Sequence, residues 1–342
     1  MSKPMDYRRL GAAGIKVSPL CLGTMMFGDR TDLKTAGRIV SMAREAGINF
    51  IDTADAYAGG ESERITGKLI RSDRDRWVIA TKFVNAMGSD PNMAGQGRKW
   101  AMRAIDDSLR RLGTDYVDIY YVHQDDRSAP IMEMVMALAD LVRAGKVRYA
   151  GLSNFRAWRM TAFVESCDRL GVPRPAVIQP YYNAMNRMPE VEILPAADAY
   201  GIGVVPYSPL ARGVLTGKYQ PGAAPSKGTR AARQDRRMME TEWRPESLMI
   251  AQKIKAQAEK RGMTPGQFAT RWVLNNRTVT SVIAGPRTVE QWQEYLGALD
   301  HTFTARDEAL VDRLVPPGHP SSPGYTDPRN PVLGRIAWTA PV

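Results

Sequence analysis

Residues 48–52 read Ile48-Asn49-Phe50-Ile51-Asp52, and residues 77–82 read Trp77-Val78-Ile79-Ala80-Thr81-Lys82. Both are short runs rich in apolar, β-branched and aromatic residues, the composition of buried strands. Between them, Ser62–Ile70 has an amphipathic helical pattern. A strand, a helix and a second strand in this order predict one βαβ unit, and with it a parallel sheet.

The same unit recurs on both sides. Leu20–Thr24 precedes it as a strand, and Val117–Val122, Val147–Gly151, Ala176–Gln179, Ile202–Tyr207 and Ser281–Ala284 follow it. Helical patterns fill the intervals at Leu33–Ala46, Arg98–Leu112, Ile131–Ala144, Trp158–Leu170, Pro189–Tyr200 and Val289–Leu299. Two more, Leu248–Arg261 and Pro265–Leu274, come late. Eight strands alternating with helices predict an α/β fold, a closed (β/α)₈ barrel of the TIM type, with residues 1–342 as a single domain. Tyr7–Leu10 and Ile15–Val17 flank Gly11–Gly14 and read as a β-hairpin plugging the barrel bottom. Two stretches break the pattern. Residues 220–246 are rich in Gly, Ala and Pro and then strongly charged, and read as a mobile loop. The tail, 313–342, carries six prolines between Pro316 and Pro331 and is expected to be extended and non-helical.

Composition removes several function classes. The chain has 342 residues, 44% hydrophobic and 24% charged, ordinary for a soluble globular protein and wrong for a disordered one. No apolar run is long enough to span a bilayer, and the N-terminus lacks a secretory core. Two cysteines, Cys21 and Cys167, cannot build a disulfide framework or a four-cysteine zinc site. Cytoplasmic residence is the expectation. The net charge is +11, but acidic residues are interspersed and no nucleic-acid-binding signature stands out. A phosphate-bearing small molecule is the better partner for that charge, with no nucleic acid and no membrane. Three histidines without a His-x-His pair argue against a metal-dependent hydrolase. The absence of G-x-G-x-x-G argues against a Rossmann dehydrogenase.

Barrels of this kind build their chemistry where strands end. The second strand ends in Asp52, with Tyr57 five residues on; the third ends in Lys82 and the fourth in His123. Each alone also reads as a turn cap, a loop aromatic, a solvated end or a core histidine. Together, on one face, they read as catalytic. Tyr57 can protonate a carbonyl oxygen, and the Lys82 ammonium is expected to lower the phenol pKa. Asp52 would hold the lysine charged, and His123 would donate to the same oxygen. That is the demand of aldehyde or ketone reduction, with a nicotinamide as hydride source.

The remaining strand ends offer a cofactor site. Gly23, Thr24 and Met25 leave the first strand. Ser153, Asn154 and Gln179 can hydrogen-bond a carboxamide, and Tyr207 can stack on a nicotinamide ring. Ser208, Leu210, Arg212, Gly213 and Lys218 can wrap a pyrophosphate. Gly285, Arg287 and Gln291 stand at a helix start, where backbone N–H groups and an arginine suit the 2′-phosphate of NADP. Met25, Met26 and Met87 are candidates to line an apolar pocket. No metal is expected.

These residues carry a resemblance. The chain resembles the aldo-keto reductase superfamily, and within it the bacterial branch similar to pyridoxal reductases and potassium-channel β-subunits. The matching stretches are Tyr7–Gly11, Val17–Gly28, Phe50–Tyr57 (FIDTADAY), Gly60–Glu63, Ala80–Lys82, Ser108–Asp118, Gly151–Phe155 (GLSNF), Gln179–Asn183 and Pro206–Leu210. They run in order along nearly the whole chain. The resemblance implies an eight-stranded barrel, NADPH/NADP⁺ as cofactor, a small-molecule carbonyl or alcohol as partner, and the tetrad Asp52, Tyr57, Lys82 and His123. A slowly turning, NADPH-binding, redox-sensing accessory subunit is the alternative. There are departures: Glu294 is followed by Tyr295 where the family pattern has Asn, and Ala284 and Pro286 exchange the usual characters around Gly285. They bear on the adenine contacts and on coenzyme preference. Substrate identity and oligomeric state are left open.

Overall fold

The computed structural model describes residues 5–332. The chain begins with an antiparallel hairpin of β1 (Arg8–Arg9) and β2 (Lys16–Val17). Then β3 (Leu20–Gly23), α1 (Leu33–Glu45), β4 (Phe50–Asp52), α2 (Glu61–Ile70), β5 (Val78–Phe83), α3 (Arg98–Leu112) and β6 (Val117–Val122) alternate. So do α4 (Ile131–Arg143), β7 (Val147–Ser153), α5 (Ala157–Leu170), β8 (Val177–Gln179), α6 (Ile193–Ala199) and β9 (Gly203–Val204). Three helices intervene, α7 (Arg236–Thr241), α8 (Pro245–Lys260) and α9 (Pro265–Asn275), before β10 (Val282–Ala284), α10 (Val289–Gly297) and α11 (Ala305–Leu314).

The eight strands β3 to β10 form one parallel sheet in the order β10-β3-β4-β5-β6-β7-β8-β9. Backbone N–H groups of Thr280 and Ile283 donate to the carbonyls of Val204 and Pro206, at 2.9 and 3.0 Å, between the two end strands. The arrangement is that of an α/β barrel with helices outside. Strand side chains alternate between two cores, which is why the strands are apolar on both faces. Cys21, Phe50, Val78, Ala80, Ile119, Tyr121, Val177, Val205 and Ile283 fill the interior. Their neighbours, such as Leu22, Ile51, Ile79, Tyr120 and Leu152, pack on the helices.

The hairpin plugs the barrel as expected. Leu10 and Val17 belong to the interior cluster and are fully buried. Gly11 has φ +56, and a Cβ there would meet the Gly201 carbonyl oxygen at 2.3 Å, so only glycine lets the hairpin seat under β9. Gly67 serves the outer layer: a Cβ would lie 2.0 Å from the Leu112 carbonyl oxygen, so α2 and α3 touch backbone to backbone.

Three expectations need correction. Residues 220–246 are not irregular throughout, because α7 forms there, capped by Asp235, whose carboxylate accepts from the Met238 N–H at 3.0 Å. The helix α11 was not read from the sequence, although its capping box, Thr304 with Asp307, is a signal for it. α11 runs into the start of the expected non-helical tail, ending at Leu314, and the rest of its described part, 315–332, has no helix but is turn-rich rather than one extended run. Residues 333–342 of the expected tail lie outside the described residues.

Candidate active site

The four catalytic candidates converge at the C-terminal ends of β4, β5 and β6. Asp52 ends β4, Lys82 lies one residue from the end of β5, and His123 follows β6 directly. Asp52 and Lys82 point into the barrel because each sits on the inward phase of its strand. Tyr57 is placed by a tight turn in which Ala58, Gly59 and Gly60 all have positive φ, turning the chain into α2. The start of α2 is pinned by Ser62, whose hydroxyl donates to the Thr24 carbonyl at 2.8 Å and lies 3.0 Å from Thr53 Oγ1.

Lys82 is the hub. Its Nζ donates to Asp52 Oδ1 at 2.5 Å, to the Thr53 carbonyl at 2.8 Å and to Tyr57 Oη at 3.4 Å. The other Asp52 oxygen accepts from Gln179 Nε2 at 2.9 Å. The Tyr57 and His123 rings meet edge to face with centroids 5.9 Å apart. Both are half-buried, so a substrate can reach them. Asn85 Nδ2 donates to His123 Nδ1 at 2.9 Å, which leaves the ring proton on Nε2.

The electrostatics differ from expectation in one respect. Lys82 does pull the Tyr57 phenol pKa down, but burial outweighs it, and the phenol lies above its usual value. Burial likewise opposes the Lys82 charge, but Asp52 and Tyr57 together overcome it and hold the ammonium above its usual value. Burial pushes the Asp52 carboxyl up against the pull of Lys82 and Gln179. Burial and the Lys82 charge push His123 down to about 3, so its imidazole is neutral across the physiological range.

The cofactor candidates fall into two groups. Ser153, Asn154, Gln179 and Tyr207 are brought together, but they already bond one another. Tyr207 Oη donates to Asn154 Oδ1 at 2.8 Å, Asn154 Nδ2 donates to the His123 carbonyl at 2.9 Å, and Ser153 Oγ donates to the Gln179 carbonyl at 3.0 Å. Tyr207 stacks on Tyr181, with centroids 5.7 Å apart, and Tyr181 donates to Glu242. Thr24 is fully buried and its hydroxyl bonds Ser62 and the Asp52 carbonyl, a structural role. Gly23 pairs in register with Asp52, and Met25 is exposed in the loop beyond it.

The second group is cationic. Lys218 lies below its usual pKa through burial and the charges of Arg230, Arg287 and Arg233. Arg230 lies below its usual value through burial and the charges of Arg212 and Arg30, against Asp235. Arg212 and Gly213 have positive φ after Ser208 and Leu210, and Arg212 Nε is buried without a hydrogen-bond partner among the described residues. Arg212, Arg230 and Arg287 are half-buried and Lys218, Arg233 and Arg30 exposed; cations that outnumber their acids, with an orphaned guanidinium N–H among them, fit a polyphosphate. Gln291 is partly engaged, since its Oε1 accepts from the Arg287 N–H at 2.8 Å, and Gly285 follows β10, where a Cβ would lie in ordinary contact, 3.9 Å, with the Gly23 carbonyl oxygen.

Reading the sequence missed Asn85, Arg30, Arg230 and Arg233. Asn85 had a weak signal, three residues past Lys82 on the same strand exit. The arginines had none, because charge alone does not say which residues meet. A cleft of about 860 Å³ is lined by Arg287, Thr288, Arg30, Arg38 and Glu61; Tyr57 is not part of its wall. The Asp125 carboxylate after His123 is held by Arg159 through two bonds of 2.8 Å, and no cluster of metal ligands occurs among the described residues. No described helix is long and apolar enough to cross a membrane.

Comparison with known proteins agrees with this arrangement. The Aldo/keto reductase family profile matches residues 19–316. A probable voltage-gated potassium channel subunit beta of Arabidopsis thaliana is 38% identical over 301 residues, covering 86% of this chain and 92% of that protein. The uncharacterized oxidoreductase YrpG of Bacillus subtilis is 35% identical, covering 94% and 99%. An L-glyceraldehyde 3-phosphate reductase of Escherichia coli is 33% identical, covering 92% and 93%. With the barrel and this extent of likeness, the chain belongs to the aldo/keto reductase family of oxidoreductases.

Proposed function

We propose that this protein reduces an aldehyde or ketone to an alcohol, reversibly, with NADPH as cofactor and Tyr57 as proton donor. The observation that carries the reading is the Lys82 ammonium, bonded at once to Asp52 and to the Tyr57 phenol. Tyr57 donates its proton to the carbonyl oxygen, and Lys82 stabilises the phenolate left behind. His123, neutral and protonated on Nε2, donates a hydrogen bond to the same oxygen and orients it. Asp52 keeps Lys82 charged and fixed, and Gln179 fixes Asp52.

NADPH, when bound, supplies the hydride. Its phosphates would lie against Arg212, Gly213, Lys218, Arg230 and Arg287, where the unbalanced charge favours them. Ser153, Asn154 and Gln179 would hold the carboxamide, and Tyr207 would support the ring. The cationic patch favours NADPH over NADH, because the extra phosphate adds charge-assisted bonds. Consumption of NADPH with a panel of carbonyl compounds tests the reading, with Tyr57→Phe alongside. Turnover in wild type that survives in the variant would remove Tyr57 from its role.

A second reading is favoured by one observation, the 38% identity to a protein named as a potassium channel subunit. In it the chain binds NADPH and serves as an accessory subunit of slow turnover. Tight NADPH binding with no turnover on any carbonyl would support that reading over the first.

A further inference from the structure

Three carboxyl groups and two cations share the buried layer around and behind Tyr57. Two acids are matched. Asp52 holds Lys82, and Glu63 accepts from Arg111 Nε at 2.6 Å and from Thr81 Oγ1 at 2.5 Å. The third, Asp55, is left over. It is fully buried, and neither carboxyl oxygen has a hydrogen-bond partner among the described residues by distance and angle. Yet it is tied to the catalytic pair by the backbone. It lies two residues before Tyr57, and its N–H donates to the Lys82 carbonyl at 3.2 Å.

The groups that face Asp55 come from every element around it: Glu63 from α2, Arg111 from α3, Lys82 from β5 and the Tyr120 phenol from β6. A buried carboxylate without a partner is costly, so such a group keeps its proton. Burial and the Glu63 charge push Asp55 up to about 8, while the adjacent Ala56 N–H, too poorly aligned for a full hydrogen bond, and the charges of Arg111 and Lys82 oppose them. The fields of Asp55 and Tyr57 overlap: a charge on Asp55 raises the phenol pKa.

We propose that Asp55 is a positioning residue for proton transfer, neutral while Tyr57 donates and blocking donation when it ionises. This rests on the reading of Tyr57 as the proton donor. In that step the Tyr57 O–H bond breaks as an O–H bond to the substrate oxygen forms, and the cofactor supplies the hydride to carbon. The layer then holds Asp52, Glu63 and the phenolate against Lys82 and Arg111. A neutral Asp55 leaves one excess negative charge; an ionised Asp55 makes two in a space that excludes water. Asp55 thus acts on the reaction through Tyr57 and Lys82, without touching substrate.

The test is the pH profile of kcat/KM for carbonyl reduction at saturating NADPH. Wild type should fall about tenfold per pH unit above about pH 8 as Asp55 ionises. Asp55→Asn cannot ionise, so its fall should move up by about one unit or more. Glu63→Gln removes a charge that holds the Asp55 proton, so its fall should move down. Opposite shifts from two neighbouring variants are not the signature of a merely structural role. The second readout needs no turnover: the Tyr57 phenol, titrated by ultraviolet difference against Tyr57→Phe in each background, should ionise at lower pH in Asp55→Asn. Should Asp55→Asn not fold, the direction of the Glu63→Gln shift decides. Coincident profiles, or an unmoved phenol midpoint, overturn the proposal. A wild type without carbonyl turnover removes the proposed function instead, and the phenol titration alone then decides the role of Asp55.

Discussion

Gln179 Nε2 donates to Asp52 Oδ2 at 2.9 Å, between residues 127 positions apart. Their strands, β8 and β4, lie four places apart in an eight-stranded sheet, so the bond crosses the barrel mouth. Asp52 is therefore held from both sides, by Gln179 and by Lys82. Lys82 in turn has nowhere to go, since it is fully buried and all its bonds converge on Asp52, Thr53 and Tyr57.

Lys82→Met should cost stability as well as activity. It leaves Asp52 buried with Gln179 as its one side-chain donor. Breaking a buried pair from one side typically costs about 3–5 kcal/mol. Urea unfolding at neutral pH should show that loss, and Asp52→Asn in the same background should recover part of it.

Tyr57→Phe removes the proposed proton donor and little else, because the phenol makes one long bond, of 3.4 Å, to Lys82. Loss of a positioned general acid lowers turnover by about 10²–10⁴-fold. NADPH binding, read by fluorescence, should stay within a few-fold of wild type.

His123 should show its charge in stability rather than in catalysis. In the folded chain its pKa is about 3, and in the unfolded chain about 6.5. Between those values the unfolded state binds the extra proton, so stability falls as pH drops through that window and is fully present above it. The urea midpoint should decline with acid, and more weakly in His123→Gln. Reduction should show no histidine inflection between about pH 5 and pH 7.

Asp55 predicts the opposite slope. Folded, it keeps its proton to about pH 8; unfolded, it loses it near about pH 4. Stability therefore falls as pH rises through that window and is level above it. Relative to wild type, Asp55→Asn should gain in melting temperature from acid to neutral pH, reaching its full gain above about pH 8.

The cationic patch should respond with two signs. Lys218→Met relieves repulsion from Arg230, Arg287 and Arg233, so the cofactor-free protein should melt no lower than wild type. NADPH affinity should drop by about 10–100-fold, the loss of one charged hydrogen bond of about 1.5–3 kcal/mol. Calorimetry at two salt concentrations separates these effects.

Much of this was legible beforehand. Asp52, Lys82 and His123 each stand at the end of a strand whose apolar run is visible, and strand ends are where such barrels do chemistry. Tyr57 followed from the short turn after Asp52. What misled was the electrostatics of Tyr57: proximity to Lys82 was inferable, but the depth of burial that outweighs it was not. Asp55 had no signal, because an acid in a turn is ordinary until its surroundings are known. Ser153, Asn154 and Gln179 were legible as polar strand ends that could meet a carboxamide, but not that Tyr207 already bonds Asn154.

The tail and the segment before α8 show the same division. Proline spacing marked the tail as non-helical, yet nothing local said what it touches. Asp327 pairs with Arg237 of α7, Arg244 lies 3.9 Å from the Tyr325 ring centroid, and Ser321 and Ser322 bond Arg244.

By itself the sequence determined the alternation of strand and helix, the two-faced apolar strands, and the residue types at the strand ends. Those follow from local periodicity, which each segment carries alone. Tertiary structure alone decided which polar groups meet: Gln179 with Asp52 across the barrel, Arg230 with Lys218, and Asp55 with no side-chain hydrogen-bond partner among the described residues. Pairings between distant residues depend on sheet closure and helix packing, and so do burial and the pKa values that burial sets.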